Sequence, residues 1–211
     1  MRNLKYLLVF MLALIMLVGT TAPVFADSGK VDYSNQAVQK DLFSQMQKAK
    51  DIDSFIANLP PEGQKTAIEL LKVVKIEKVT TTSITPSTSP TGIRSAAATG
   101  GIKTGTVEVY AKNSLGMKLW SYYESITFGY DGTTITRADQ PRIWGQTYIV
   151  GWRYEGVLSS STSGGVGYTF YEGWTQGHFI LGIGGWDIKH CYPQIDITVY
   201  GNGGWSYWGS V

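Results

Sequence analysis

The stretch MKLWSYYESITFGYDGTT, residues 117–134, decides the fold class. Its alternate positions are aromatic or aliphatic: Trp120, Tyr122, Ile126, Phe128 and Tyr130. A period of two is typical of a β-strand with one buried face. Asp131-Gly132 follows directly and favours the positive φ angles of a tight hairpin turn. The stretch therefore predicts an antiparallel strand with an aromatic inner face.

The same pattern recurs to the end of the chain. Strands are predicted around residues 105–113, 146–157, 165–183 and 194–200, with a turn at SSSTSGG, residues 159–165, and a last hairpin at Asn202-Gly203. The positions assigned to the buried face are Tyr148, Val150, Trp152, Tyr154, Val166, Tyr168, Phe170, Trp174, Ile195, Ile197 and Val199. About six to eight strands without intervening helices predict an antiparallel β-sandwich or small barrel.

The N-terminus has the pattern of a secretory signal peptide. Arg2 and Lys5 precede an apolar run, and Val24-Phe25-Ala26 offers small residues for cleavage after residue 26. The run is short for a membrane span, and no cysteine follows it that could accept a lipid. We therefore expect residues 1–26 to be removed and the mature protein to be secreted, extracellular and without a stable membrane anchor.

The charge of the mature chain does not favour a polyanionic partner. Loss of Arg2 and Lys5 leaves 16 basic and 16 acidic side chains. Nucleic acids and anionic membranes are bound by basic surfaces. We therefore expect no nucleic-acid partner.

Composition divides the mature chain into three parts. Residues 27–78 have a helical pattern, whereas all seven Trp and eleven of the thirteen Tyr lie beyond residue 105. Residues 79–105 between them are mostly Thr, Ser, Pro, Gly and Ala, a composition that indicates a flexible linker. The aromatic-rich β domain is assigned to residues 106–211. Limited proteolysis is then expected to release a stable β fragment that begins between about residues 95 and 106.

The helical segment carries three apolar stripes. They are Leu42, Phe43 and Met46; Ile52, Phe55, Ile56 and Leu59; and Ile68, Leu71 and Val74. Pro61 suits the first turn of a helix, so two or three short helices are predicted. The segment is either a small helical spacer or a pro-segment that masks the β domain until it is cleaved.

Cys191 is the only cysteine, and it lies between two Gly-Gly-Trp triplets. It has no partner for an intramolecular disulfide, and a free cysteine is most often a small buried hydrophobe. His190 cannot serve it as a base by adjacency, because neighbouring strand residues point to opposite faces, whereas His178 could approach in space. We interpret Cys191 as structural and the triplets as turns that lead into aromatic strand starts. The spacing of these residues predicts no metal site, and no cofactor motif is present.

The tail CYPQIDITVYGNGGWSYW resembles the closing hairpin of small exported β-rich proteins of Gram-positive bacteria to which no function is assigned. The resemblance covers about the last twenty residues of the chain. It implies a bacterial source and a β fold, and it assigns no catalytic or binding residue.

Three classes of function are compatible with this sequence. The first is a non-enzymatic binding module for carbohydrate or a cell-wall polymer, because aromatic-rich sandwiches offer flat rings and hydrogen-bonding edges. The second is a bacteriocin-like or envelope-active toxin with a helical pro-segment. The third is a glycosidase that uses Glu124 and Glu172, which fall on the predicted core faces. The binding module is the preferred class, and it requires no catalytic residue.

The predicted binding surface is the set of strand faces opposite the aromatic ones. These faces are small and polar, with one tyrosine each: Tyr123, Tyr171 and Tyr200. If the three strands share one sheet, the tyrosines form a stacking platform. Arg153, Glu155 and Asp196 would then orient the ligand by hydrogen bonds.

Overall fold

The computed structural model describes residues 31–85 and 100–211, and the side chains of all of these except 82–85. The predicted signal peptide, residues 1–26, lies outside the described residues. Within the described residues three helices precede the strands: α1 Gln36–Lys48, α2 Ile52–Ala57 and α3 Pro61–Leu70. The strands described are β1 Lys75–Thr85, β2 Gly101–Lys112, β3 Lys118–Tyr130, β4 Ile135–Ala138, β5 Arg142–Thr147, β6 Trp152–Gly164, β7 Phe170–Ile183, β8 Trp186–Cys191, β9 Gln194–Tyr200 and β10 Trp205–Ser210.

The helices begin where the sequence offers caps. The Asn35 side chain accepts a hydrogen bond from the backbone N–H of Ala37 at the start of α1, and Asp51 does the same at α2. These bonds satisfy amide groups that a helix leaves without an internal partner. Pro61 occupies the first turn of α3, as predicted.

The buried helix faces follow the first two predicted stripes. Buried residues of these stripes are Leu42, Phe43, Met46, Ile52, Ile56 and Leu59. The prediction that Val74 belongs to a buried third stripe is wrong, because Val74 is 60% exposed. Helix α3 ends at Leu70 and buries Gly63, Ala67 and Leu70, so the helical period no longer applies at Val74.

The ten described strands form two antiparallel sheets of five strands each. The first sheet has the order β1-β2-β3-β4, and β5 also pairs with β3. The second sheet has the order β10-β9-β7-β6, and β8 also pairs with β7. The inner faces pack on each other, and the ring of Trp120 on β3 stacks on that of Phe179 on β7 with centroids 4.6 Å apart. This part of the chain is the predicted β-sandwich.

The aromatic face of β3 lies inside the sandwich, as predicted. Trp120, Tyr122, Ile126 and Phe128 are at most 1% exposed. The predicted inner residues Trp152, Ile195, Ile197 and Val199 are buried as well. Tyr148 is an exception, because its hydroxyl contacts Ser121 and Tyr123 on the outer face of the first sheet.

The predicted phase of β7 is wrong. The buried residues are Tyr171, Gly173, Thr175, Gly177 and Phe179, whereas Phe170 and Trp174 lie on the other face. A β-carbon on Gly177 would lie 2.5 Å from Cε2 of Tyr122, and one on Gly173 would lie 2.6 Å from Oε1 of Glu124. The glycines thus make room for large side chains of β3. The small-residue face is therefore the inner face.

Strand β6 extends through the segment predicted as a turn. Residues 159–164 pair with β7 from Ser159↔Gln176 to Gly164↔Tyr171. Register shifts between Tyr154 and Gly156 and between Val157 and Ser159 interrupt the alternation of the strand. Such bulges hide a strand from a pattern based on a period of two.

The strands also extend into the predicted linker. Residues 79–85 belong to β1 and residues 101–105 to β2, and the two strands pair in register from Lys75↔Lys112 to Thr85↔Ile102. The assignment of these residues to a flexible linker is wrong, because backbone pairing with β2 holds β1 in the sheet despite its polar composition. Residues 86–99 lie outside the described residues.

The helices are attached to the sandwich by buried hydrogen bonds. The indole Nε1 of Trp152 donates to the backbone oxygen of Leu71 over 2.9 Å. The side-chain amide of Asn113 donates to the backbone oxygen of Leu70 over 3.1 Å. Both donors are buried, so their loss would leave polar groups unsatisfied. The described residues from Tyr33 onward form one compact unit.

Candidate functional site

A cleft of about 770 Å³ lies between the helices and one end of the sandwich. Its walls come from α1, α2, the connection between β5 and β6, and the hairpin between β7 and β8. The lining residues are Gln47, Asp53, Thr147, Tyr148, Ile149, Val150, Gly151, Trp152, Arg153, Gly182, Gly185, Trp186 and Asp187. A cleft of this size can hold a small molecule or a short segment of a polymer.

The β7–β8 hairpin places an indole ring at the cleft. Gly184 and Gly185 form its turn with φ of 65° and 77°. Two successive positive φ angles suit the tight turns that join twisted strands, and glycine adopts them without steric cost. Strand β8 begins immediately afterwards at Trp186, whose side chain is 79% exposed. The predicted role of the first Gly-Gly-Trp triplet as a turn is confirmed, and the second likewise leads into β10 at Trp205.

Arg153 is held in the cleft by two carboxylates. Its Nε donates to Glu155 over 2.5 Å, and its Nη2 donates to Asp187 over 2.6 Å. The hydrogen bond to Asp187 and then that to Glu155 raise the pKa of the guanidinium above its usual value. All three groups are at least 40% exposed, so the bonds orient Arg153 more than they stabilise the fold.

The helices contribute polar groups to the opposite wall. Asp53 of α2 accepts a hydrogen bond from the backbone N–H of Gly184 over 2.6 Å, which connects this helix to the hairpin. The side-chain amide of Gln47 on α1 donates to the backbone oxygen of Tyr148 over 3.2 Å. The cleft thus combines one exposed indole ring with a cation, carboxylates and an amide. Such a set can stack on a flat ligand face and exchange hydrogen bonds with hydroxyl groups.

Of the six residues predicted to bind ligand, the structure places Arg153 in the cleft wall and Glu155 next to it. The three tyrosines are not brought together. Tyr123 lies on the outer face of the first sheet, where it stacks on Trp144 with ring centroids 4.8 Å apart. Tyr171 lies inside the sandwich and is 6% exposed, and Tyr200 lies on the outer face of the second sheet. The stacking platform is therefore absent, because β7 has the reversed phase and β3 belongs to the other sheet.

Asp196 lies outside the cleft, on the outer face of β9. Burial raises the pKa of its carboxyl group, and the charge of Glu172 raises it further. The two carboxylates are neighbours because Glu172 pairs with Thr198 and Trp174 pairs with Asp196 in the sheet. This outer-face pair was not expected, since Glu172 is predicted inside.

The two glutamates of the glycosidase hypothesis lie on opposite sides of β7. The Glu124 carboxyl is inside the sandwich, is 0% exposed and has no hydrogen-bond partner among the described residues. Glu172 faces outward, where it accepts a hydrogen bond from the Ser163 hydroxyl over 2.8 Å. A glycosidase needs both carboxyl groups on one substrate. Because a sheet separates this pair, it cannot flank a glycosidic bond.

Cys191 is a buried residue of the core. Its side chain is 4% exposed, and it pairs with Phe179 across β7 and β8. Burial raises the pKa of the thiol, which disfavours the reactive thiolate. His190 and His178 lie on the opposite face of the sheet, so neither can act as a base for this sulfur. Its position agrees with the structural role predicted for it.

Sequence reasoning missed Asp53, Trp186 and Asp187 as residues of the site. Only the Gly-Gly-Trp turn signalled an exposed aromatic residue, and it was interpreted solely as local structure. Asp53 and Asp187 line one cleft because helix α2 packs on the β7–β8 hairpin. The hydrogen bond that joins them runs from Gly184 to Asp53, which are 131 positions apart in sequence. No local pattern carries that contact.

Comparison of the chain with models of protein families, with curated proteins and with solved structures finds no match. None of the described helices is both long enough and apolar enough to cross a membrane.

Proposed function

We propose that this protein is a secreted, non-enzymatic binding module for carbohydrate or a cell-wall polymer, and that the cleft beside Trp186 holds the ligand. The observation that carries the proposal is the exposure of Trp186. Trp186 is 79% exposed and lines the cleft, so a face of its indole ring is open for stacking on a flat apolar ligand face.

The polar groups of the cleft suit a hydroxylated ligand. Asp53 and Asp187 offer carboxylate oxygens as acceptors, and Arg153 offers N–H donors. These groups already have internal partners that fix their direction, which reduces the entropy lost when a ligand binds. A sugar presents an apolar ring face and hydroxyl edges, and so matches an indole ring beside such groups.

Two further observations support parts of this proposal. The N-terminal pattern of residues 1–26 supports secretion, and the tail resemblance supports a bacterial source. The toxin with a removable helical pro-segment has less support, because the helices supply Gln47 and Asp53 to the cleft and accept buried hydrogen bonds from Trp152 and Asn113.

Retention of the purified protein on isolated bacterial cell walls and on insoluble polysaccharides tests the proposal. Trp186→Ala should weaken binding by about tenfold or more, because the ring supplies the stacking surface. Trp208→Ala is the matched control, since Trp208 is 49% exposed on β10 and does not line the cleft. If wild type and Trp186→Ala are retained equally and their far-UV circular dichroism is the same, the cleft beside Trp186 is not the binding site. Release of reducing sugar by the wild type would contradict a non-enzymatic role.

A further inference from the structure

The two histidines of the chain come together on neighbouring strands. His178 lies on β7 and His190 on β8. Nε2 of His178 is 2.9 Å from Nδ1 of His190, and the ring of Tyr192 packs against that of His178 with centroids 4.9 Å apart. The sequence contains only these two histidines, and 11 residues separate them along the chain. Strand pairing creates the contact.

Strand geometry places both imidazoles on the outer face of the second sheet. His178 lies between the buried Gly177 and Phe179, and His190 precedes the buried Cys191. Because side chains alternate along a strand, both rings point away from the core. His190 is exposed and His178 is partly exposed, so an ion from solvent can reach the pair. Neither residue lines the cleft.

We propose that His178 and His190 together bind one divalent transition-metal cation through Nε2 and Nδ1. Imidazole nitrogen is a preferred ligand of Cu²⁺, Ni²⁺ and Zn²⁺, whereas Mg²⁺ and Ca²⁺ prefer oxygen. The site is independent of the cleft and of its proposed ligand.

Copper is the expected ion. Imidazole nitrogens bind Cu²⁺, Ni²⁺ and Zn²⁺, and for a given set of nitrogen ligands Cu²⁺ binds more tightly than Ni²⁺ or Zn²⁺. The present separation of 2.9 Å is that of a hydrogen bond, so it brings the two nitrogens within reach of one ion but does not select the metal.

Binding of the metal requires a rearrangement of one proton. In the present contact one imidazole donates its N–H to the lone pair of the other. With neutral rings, this proton moves to the far nitrogen of the same imidazole, so that Nε2 of His178 and Nδ1 of His190 both present lone pairs. Rotation about the side-chain torsions then directs the two lone pairs at one ion. No oxidation or bond cleavage is involved.

The site supplies two protein ligands and leaves the other positions to water. Within residues 31–85 and 100–211, no group of three or more His, Cys, Asp and Glu side chains is placed to share a metal ion. Loss of either histidine therefore leaves a single ligand. Substitution of either histidine alone should therefore weaken metal binding nearly as much as substitution of both.

Titration of the full chain with Cu²⁺, Zn²⁺ and Mg²⁺ by calorimetry tests the proposal, with protein purified without a histidine tag. We expect Cu²⁺ to bind at one equivalent more tightly than Zn²⁺, and Mg²⁺ not to bind. His178→Asn and His190→Asn should each weaken Cu²⁺ binding at least about tenfold. Electron paramagnetic resonance of the copper form should show two coupled nitrogens.

Two control variants separate this site from other copper ligands. Lys189→Ala changes an exposed neighbour on β8 that is not a ligand, and Cys191→Ala removes the thiol; both should bind Cu²⁺ as the wild type does. Copper binding that survives both histidine substitutions, or that is lost in Cys191→Ala with the fold intact, would overturn the proposal. So would a copper spectrum without coupled nitrogen.

Discussion

Glu124 is an ionisable group enclosed by apolar surroundings. It faces Gly173 across the sandwich, pairs with Ile143 on β5 and with Val107 on β2, and has no hydrogen-bond partner for either carboxyl oxygen within the described residues. Burial, and secondarily the charge of Asp196, raises the pKa of this carboxyl group to about 8. The protonated acid is therefore the form that the fold accommodates near neutral pH.

We expect this residue to make the protein less stable as the pH rises. In the unfolded chain the pKa of a glutamate is about 4.3, so between about pH 4.5 and 8 the unfolded state is ionised while the folded state stays protonated. The contribution of Glu124 to the free energy of unfolding is fully present below about pH 4.5 and is lost as the pH rises to about 8. The slope is on the order of 1.4 kcal/mol of unfolding free energy per pH unit.

Urea unfolding at several pH values between 5 and 8 measures this slope. Glu124→Gln removes the titration and should flatten the curve relative to the wild type, although the buried amide itself still lacks partners. Glu69→Gln is the control, because Glu69 is 55% exposed on α3 and is not among the charges that raise the pKa of Glu124; this substitution should leave the slope nearly unchanged. Identical slopes for the wild type and Glu124→Gln would mean that Glu124 reaches water.

Strand β7 shows which elements the sequence predicts and which it does not. The inner face of β3 was predictable because aromatic residues alternate there with small polar ones. On β7 both faces carry aromatic residues, and the choice of the buried face depends on Tyr122 and Glu124 of the opposite sheet, which lie next to Gly177 and Gly173.

Strand β1 was missed because its Thr-rich sequence resembles a linker and only its pairing with β2 makes it a strand. The cleft depends on long-range packing in the same way.

The complementarity of small and large residues between β7 and β3 is testable at Gly177. Gly177→Ala would place a methyl group 2.5 Å from the Tyr122 ring, so one of the two strands must move. We expect a loss of about 1–3 kcal/mol in unfolding free energy by chemical denaturation. Gln176→Ala, a neighbour on the outer face, should change the stability far less. A Gly177→Ala protein as stable as the wild type would show that the sheets are not closely packed there.

The helices and the sandwich form one structural unit in the described part of the molecule. Strand β1 pairs with β2 over eleven positions and continues from α3, and the Leu70 and Leu71 carbonyl oxygens accept buried hydrogen bonds from the sandwich. The composition of residues 79–105 had predicted a separable β domain. The pairing of β1 with β2 predicts instead that residues 31–85 stay bound when the chain is cut.

An engineered protease site between residues 86 and 99 tests this expectation. After cleavage the two fragments should elute together in size-exclusion chromatography under native conditions and separate in denaturant, because they share a sheet and buried hydrogen bonds. Elution of a folded β fragment by itself would instead support the spacer or pro-segment interpretation.

Hydrogen exchange with and without bound ligand tests most directly that the cleft beside Trp186 is the binding site. The ligand would be soluble oligosaccharides released from the polymer that retains the protein. We predict slower amide exchange in residues 147–153 and 182–187, which line the cleft, and unchanged exchange around Tyr123 and Trp144 on the outer face of the first sheet. Protection confined to that outer face, or ligand binding with no protection in the two cleft segments, would contradict the proposed site.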